Sequence, residues 1–474
     1  MRVLLVISLL CMAVPLRADP ADQTLQVILD QYVREALESN LALRGQGFDV
    51  ERQLALLAEA RSRFLPQLGL EARYTRAEGG RKISVPIGAL VNPAYQTLNE
   101  LLVANGEPAR FTAIPDTSFR FLRDREQDTR LTLRQPVYAP AIPAAFRAQR
   151  AFLNGTEFAR QALARRLERD VTVSYLDWLR AGSTVEIIES SFGLLQENLR
   201  VNESLYANGR VTQDQVLRAR AELLDVQQQR TEAATLAVRS AQLVNFLRNR
   251  DLDAPLAAPT VESREAAWAL VATAASDLEL RGAALEYRPE LRELESLERA
   301  AGFQVEQQQA ARMPQVSVGV DGGIQGEEYA FGSGYNFGTA SVQLTVPVFD
   351  GGAIRSRVDA ARAVARQAAL RREETARQIE LEVQQAVDRL RATADSLATA
   401  EARTEAARSG FRIASSKRDQ GVVNQVVFLD ARNALTSAEL NLNITRFELL
   451  SRQSELAYAT AVRPLPLSSE GTSQ

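Results

Sequence analysis

Arg63-Phe64-Leu65-Pro66-Gln67-Leu68-Gly69-Leu70 returns later in the chain as Arg312-Met313-Pro314-Gln315-Val316-Ser317-Val318-Gly319-Val320. The first copy follows a helix-like run, Phe48 to Ser62, and the second follows Leu291 to Ala311, both rich in Ala, Leu, Glu, Gln and Arg. Two more pairs keep the same order. Gln135-Pro136-Val137-Tyr138 matches Val346-Pro347-Val348-Phe349, and Tyr206-Ala207-Asn208-Gly209-Arg210-Val211-Thr212 matches Arg418-Asp419-Gln420-Gly421-Val422-Val423-Asn424. Gly209 lies 73 residues after Pro136, and Gly421 lies 74 after Pro347. Repetition over such distances means that one half of the chain is a copy of the other.

Each repeat places two short segments of period two between helical runs. Leu68, Leu70, Ala72 and Tyr74 alternate with Gln67, Gly69, Glu71, Arg73 and Thr75, and Leu131 and Leu133 alternate with Arg130, Thr132 and Arg134. In the second repeat Val316, Val318 and Val320 alternate with Ser317, Gly319 and Asp321. Ala340, Val342, Leu344 and Val346 alternate with Ser341, Gln343 and Thr345. The expected strands are about 66–76, 128–138, 314–321 and 338–349. One face is apolar and the other polar, as in a strand between lipid and water, although a half-buried soluble sheet alternates in the same way. Topology narrows this. Four strands cannot leave their edges in lipid, and single-chain outer-membrane barrels begin at about eight strands, so membrane strands here imply a barrel shared between chains. Pro66, Pro136, Pro314 and Pro347 are expected at strand edges, where a missing ladder donor is tolerated. The first strand pair is joined by residues 77–128, with Pro86, Pro93, Pro108 and Pro115 and a short helix expected over Ala94–Val103. The second pair is joined by the short, glycine-rich 322–337.

The segments after Pro136 and Pro347 read as long helices. Between Gly352 and Gly410 there is no glycine, and between Pro347 and Pro464 no proline. A helix from Ala353 to Ser416 would measure about 95 Å at ~1.5 Å per residue, far beyond the globular norm of ~11 residues. Its small and apolar positions include Ala361, Ala365, Ala368, Ile379, Ala386 and Leu390, a seam for close helix packing. Gly209 and Gly421 end these helices, and new runs begin at Gln215 and Gln425. Each repeat therefore ends in a long helical hairpin with a tight tip.

The chain starts with Met1-Arg2, an apolar Val3–Val14 and Leu16-Arg17-Ala18, the pattern of a secretory signal over 1–18. Cys11 falls inside it, and Leu10 before it is larger than the small residue of a lipobox. Removing Arg2 and Arg17 with this segment leaves 54 basic residues against 59 acidic, a net charge of −5. Such a balance gives no basic face for nucleic acid. Histidine is absent, which excludes Ser-His-Asp and Cys-His nucleophiles and histidine-based zinc sites. No catalytic, cofactor-binding or metal-ligating residue set is identified. No stretch after the signal reaches the ~18–20 apolar residues of a membrane helix.

With Ala60-Arg61-Ser62-Arg63-Phe64-Leu65-Pro66-Gln67-Leu68 and Arg288-Pro289-Glu290-Leu291, and with the doubled order helix, strand, loop, strand, hairpin, the chain resembles the outer-membrane efflux protein family typified by TolC. The resemblance covers essentially all of the mature chain. It implies an α+β membrane protein whose duplicated subunit carries four transmembrane β-strands and long periplasmic helical hairpins. Three copies would form a twelve-stranded barrel continuous with an α-helical barrel. The expected division is a first repeat at 19–250, a linker and equatorial segment at 251–282, a second repeat at 283–463 and a tail at 464–474. Implied partners are a periplasmic adaptor, an inner-membrane pump and outer-membrane lipid, with the chain itself a passive gated conduit and not an enzyme. The adaptor-docking tips of the family match Gly209, Arg210, Val211 and Thr212, and Gly421, Val422, Val423 and Asn424. An aspartate before an alanine at the closed periplasmic entrance matches Asp430-Ala431, while a second family aspartate, three positions earlier, is replaced by Val427. Asp214, near the first tip, is a further gate candidate.

Three other readings fit parts of the sequence. A periplasmic adaptor would need additional small β-domains, and a structural coiled-coil fibre would not repeat the strand, loop, strand unit. A carboxylate-pair glycosidase would need a compact scaffold to hold its pair in a pocket.

Overall fold

The computed structural model describes residues 24–269 and 276–465. The expected signal at 1–18 and residues 466–474 of the expected tail lie outside them, as do 270–275 of the linker. The duplication persists in element lengths. Helices α2 (Leu41–Ser62) and α8 (Pro289–Ala310) each have 22 residues, and α4 (Ala141–Ala207) and α9 (Ala353–Asp419) each have 67. Their hairpin partners, α5 (Gln213–Leu247) and α10 (Gln425–Thr460), have 35 and 36. No described helix is long and apolar enough to cross a membrane.

Two compact units share these elements. One comprises residues 56–149 and 302–363. It holds a four-stranded antiparallel sheet in the order β1 (Gln67–Arg76), β4 (Arg125–Tyr138), β5 (Gln315–Gly326), β6 (Asn336–Thr345). The two repeats meet in the middle of this sheet, where β4 pairs β5, and β1 and β6 each have a single neighbour. Between β1 and β4 the chain forms a separate ribbon, β2 (Lys82–Val85) with β3 (Thr117–Arg120), and α3 (Ile87–Ala104). The sequence reading had only a shorter helix there. Pro93 lies inside α3, and the helix begins earlier because the Asp116 carboxylate accepts from Gly88 N at 2.9 Å and Ala89 N at 3.3 Å. That cap comes from 28 residues away and has no local signature.

The strand-edge prolines divide. Pro66 and Pro314 directly precede β1 and β5, and Pro347 follows β6. Pro136 is a correction: it sits inside β4, opposite Ser317, where the register slips between Pro136 and Tyr138. A bulge leaves a residue outside the ladder, so proline's missing N–H is tolerated there as well as at an edge. The β5 strand runs on to Gly326, beyond the expected 321, and β6 stops at Thr345, before Pro347-Val348-Phe349.

The other unit holds residues 24–55, 150–269, 276–301 and 364–465 and is helical. Its largest core joins α1 (Leu25–Ser39), α4, α5 and α10 through Ile28, Tyr32, Val171, Tyr175, Val244 and Phe447. Tyr32 and Tyr175 meet edge to face at 5.4 Å, and both bind the backbone of Ala257: Tyr175 donates to its carbonyl and Tyr32 accepts from its N–H. The buried Arg248 guanidinium lies 3.6 Å from the Tyr32 ring centre and donates to Glu35 at 2.6 Å. Burial raises the Glu35 pKa, but the hydrogen bonds from Arg248 and Gln31 and the charges of Arg248 and Arg250 together outweigh it and hold the carboxyl below its ordinary 4.5. A second core links α7 (Asp277–Tyr287), α9 and α10 through Ala284, Ile379, Val383, Val387 and Leu449. The capping box of Ser276 and Glu279 fixes the start of α7.

Candidate functional site

The sheet register turns the alternation of each strand into two continuous faces. Leu68, Leu133, Val320 and Ala340 stand opposite one another across all four strands, and Leu70 and Leu131 form the next row with Gly322 and Gly338. Val318 pairs Val342 and Val316 pairs Leu344 in the same phase. Most of these side chains are bare, with Leu68 71%, Leu70 70% and Val342 73% exposed, while Val316 and Val318 are half-buried. The other face is charged. Asp128, almost wholly covered, receives the Arg130 guanidinium and Arg73 Nη2 at 3.4 Å, and Arg134 lies 3.8 Å from Asp321. Thr132, Thr339, Ser341 and Gln343 complete it. Strands of 10 to 14 residues with one apolar and one ionic face, and with two unpaired edges, suit a surface between lipid and water that is completed by other strands.

The helical unit ends in two tips of one geometry. Gly209 has φ +67° and Gly421 φ +72°, in the left-handed region that glycine enters without a Cβ clash. Gly209 N donates to the Tyr206 carbonyl at 2.8 Å and Arg210 N to Leu205 at 2.9 Å; Gly421 N donates to Arg418 at 2.8 Å and Val422 N to Lys417 at 2.9 Å. Both are Schellman caps, which satisfy the last carbonyls of a helix while the chain reverses. Beyond them Arg210 and Val422 are exposed and Val211 and Val423 are half-buried. Asn424 caps α10 by accepting from Val427 N at 3.1 Å, whereas Thr212 caps α5 without a side-chain bond.

A small core holds the hairpins together near these tips. Ile188 and Leu195 of α4, Val226 and Ala233 of α5, and Phe428 and Leu429 of α10 form it, with Phe411 of α9 alongside. The Arg418 guanidinium lies 3.8 Å from the Phe428 ring centre. Asp430 is exposed and projects about 150° around α10 from Phe428, Leu429 and Arg432 at ~100° per residue. Val427 is exposed too. Asp214 is exposed in the first turn of α5, and among the described residues neither aspartate makes a hydrogen bond or ion pair.

Sequence reasoning missed Arg432. It is 2% exposed, its Nη1 donates to Asn433 at 3.0 Å, and its Nε and Nη2 have no partner. Burial pushes the guanidinium below its ordinary pKa, against the pull of the Glu222 and Asp225 carboxylates. The repeat explains the orphan. Aligned on the tip glycines, Arg432 corresponds to Arg220, which meets Glu203 across the first hairpin at 3.0 Å, and Glu203 corresponds to Ser415. Comparing the two hairpins position by position was the available signal.

Residues 280–462 match the family model described as outer membrane efflux protein. The solvent efflux pump outer membrane protein SrpC of Pseudomonas putida is 26% identical over 313 residues, 64% of this chain and 63% of that protein, so the match spans under two thirds of its length. The alkaline protease secretion protein AprF of Pseudomonas aeruginosa is 24% identical over 359 residues, 72% of each chain. Among solved structures, the CmeC outer membrane channel of Campylobacter jejuni superposes with a TM-score of 0.74 at 17% identity, covering 91% of this chain and 85% of that one. CusC superposes at 0.75 and 17% identity, with 93% of each covered. The strand, hairpin and tip order of both repeats, the fold and the match over the second repeat agree: this chain is similar to the outer membrane efflux proteins and has the fold of the TolC-type outer membrane channels.

Proposed function

We propose that three copies of this chain close their sheets into one twelve-stranded barrel and act as a passive, gated export conduit. The observation that carries this is the four-stranded sheet itself, with one bare apolar face and with β1 and β6 unpaired. In lipid each unpaired backbone group is costly, and joining β6 of one copy to β1 of the next removes both edges. The ionic face would then line the lumen. In this reading 19–250 and 283–463 are the two repeats, 251–282 is their linker and 464–474 a tail.

The helices would continue the conduit into the periplasm, toward an adaptor and an inner-membrane pump that supplies the energy. The tip residues Gly209, Arg210, Val211, Thr212, Gly421, Val422, Val423 and Asn424 would dock the adaptor, because the caps hold them at the outermost turn in a fixed backbone shape. Asp430, turned away from the packed face of α10, would meet its copies at the periplasmic entrance with Asp214 nearby. Three like charges repel one another and draw cations. The cargo is small molecules or proteins: one relative is named for solvent efflux and another for protease secretion. No step requires catalysis.

The test is planar-bilayer conductance of the detergent-purified protein with its mass measured in parallel. A trimer with small, cation-preferring steps that grow in Asp430→Ala supports conduit and gate together. A trimer whose steps ignore Asp430→Ala keeps the conduit and removes the gate, and a monomer without conductance removes both.

A further inference from the structure

Helix α3 is built with its apolar side outward. Its packed side is held by polar groups: Asn92 donates to the Ile114 carbonyl at 2.9 Å and accepts from Ile114 N at 2.7 Å. Asn99 likewise donates to the Phe111 carbonyl at 2.7 Å and accepts from Phe111 N at 2.9 Å. Tyr95 stacks on Phe111 at 5.0 Å. These bonds, with the Asp116 cap, fix the rotation of the helix about its axis.

What they turn outward is a seam. Leu90, Ala94, Thr97, Leu101 and Ala104 are exposed and, with the half-buried Ile87, recur at steps of three and four, the a and d positions of a heptad. Leu90 is 74% exposed, Leu101 57%, and Leu98 beside them is also bare. The only charge on α3 is Glu100, about 100° away from this seam. Helices that lie on lipid carry Lys and Arg on their polar side, and α3 has neither. A 3-4 spacing with small residues at Ala94, Thr97 and Ala104 suits another helix with the same spacing.

We propose that α3 is a self-docking element, whose seam packs against the α3 seams of the other copies as a short coiled coil at the end of the barrel away from the long helices. The topology supplies that position, since α3 is inserted between the end of β1 and the start of β4, opposite the ends joined to α2 and α4. This inference rests on the three-copy assembly proposed above.

The test uses the full chain in a Cys11→Ala background, carrying Ala94→Cys on the seam or Gln96→Cys on the polar side. Both are oxidised with copper phenanthroline and weighed by light scattering in the same detergent. Expected is a trimer in which Ala94→Cys gives at least tenfold more disulfide-linked dimer than Gln96→Cys. A trimer with equal crosslinking at the two positions overturns the seam and leaves the assembly standing. A monomer overturns both. Shielding of a fluorophore on Leu90→Cys only after lipopolysaccharide vesicles are added would reassign the seam to lipid.

Discussion

Replacing Arg432 with methionine should stabilise the protein, although it removes a buried charge that sits near two carboxylates. In the native chain Nε and Nη2 are buried without partners. Each unsatisfied donor costs about 1–3 kcal/mol. Against this, the variant gives up the Asn433 hydrogen bond, about 0.5–1.5 kcal/mol, and attraction to Glu222 and Asp225, about 0–1 kcal/mol for carboxylates that keep contact with water. Methionine keeps much of the aliphatic stem, so the helix contacts persist. The balance is a gain of about 1–3 kcal/mol per chain, in line with other buried charges exchanged for apolar side chains. The assay is loss of helicity at 222 nm on heating at one scan rate in detergent, since membrane assemblies unfold irreversibly. The midpoint should rise in Arg432→Met and stay nearly unchanged in Arg220→Met, whose exposed pair with Glu203 is worth about 0–1 kcal/mol. A lower midpoint for Arg432→Met would refute the reasoning, because the two nitrogens would then have acceptors on another chain.

Three further outcomes are expected. Leu70→Arg, on the bare sheet face, should cost about 2–4 kcal/mol in a bilayer and reduce the heat-resistant oligomer recovered from outer membranes, while Thr132→Arg on the ionic face should not. Gly421→Ala puts a Cβ on a residue at φ +72° and should cost about 1 kcal/mol, read as a lower thermal midpoint and, under the docking proposal, weaker capture of a purified adaptor. Glu35 has a folded pKa below its ordinary 4.5, so its stabilisation is present above pH 4.5 and lost as pH falls through the lower folded value. Glu35→Gln should therefore lower stability at pH 7 and flatten the acid limb of a stability–pH curve below pH 4.5; an acid limb as steep as in the parent would contradict this.

The strands and tips were legible because their signals are local. Alternation through Leu68, Leu70 and Tyr74 needs no partner to be read, and the left-handed cap needs a glycine in place at 209 and at 421. Pro136 was misplaced because a bulge exists only relative to the partner strand, and the slip against β5 depends on residues about 180 positions away. The extent of α3 stayed hidden for a similar reason: its cap is Asp116, and Pro93 looks like a beginning when it is an interior residue. Arg432 was invisible because one helix reads alike whether an arginine faces water or a neighbouring hairpin. In the same way, the alternation of β4 marks Asp128 as polar without revealing that two arginines cover it.

Each copy of the repeat adds two strands, and the four run alternately in opposite directions from β1 to β6. An even count means that the last strand of one chain and the first strand of the next point opposite ways. In the proposed barrel the seam between identical chains would then be the same antiparallel ladder as every junction within a chain, whatever the number of copies. A subunit of three or five strands would force a parallel pairing at each boundary, with slanted and slightly weaker bonds. Copying a strand pair as a unit preserves this parity automatically, so the gene can lengthen its wall by duplication without ever changing the joint.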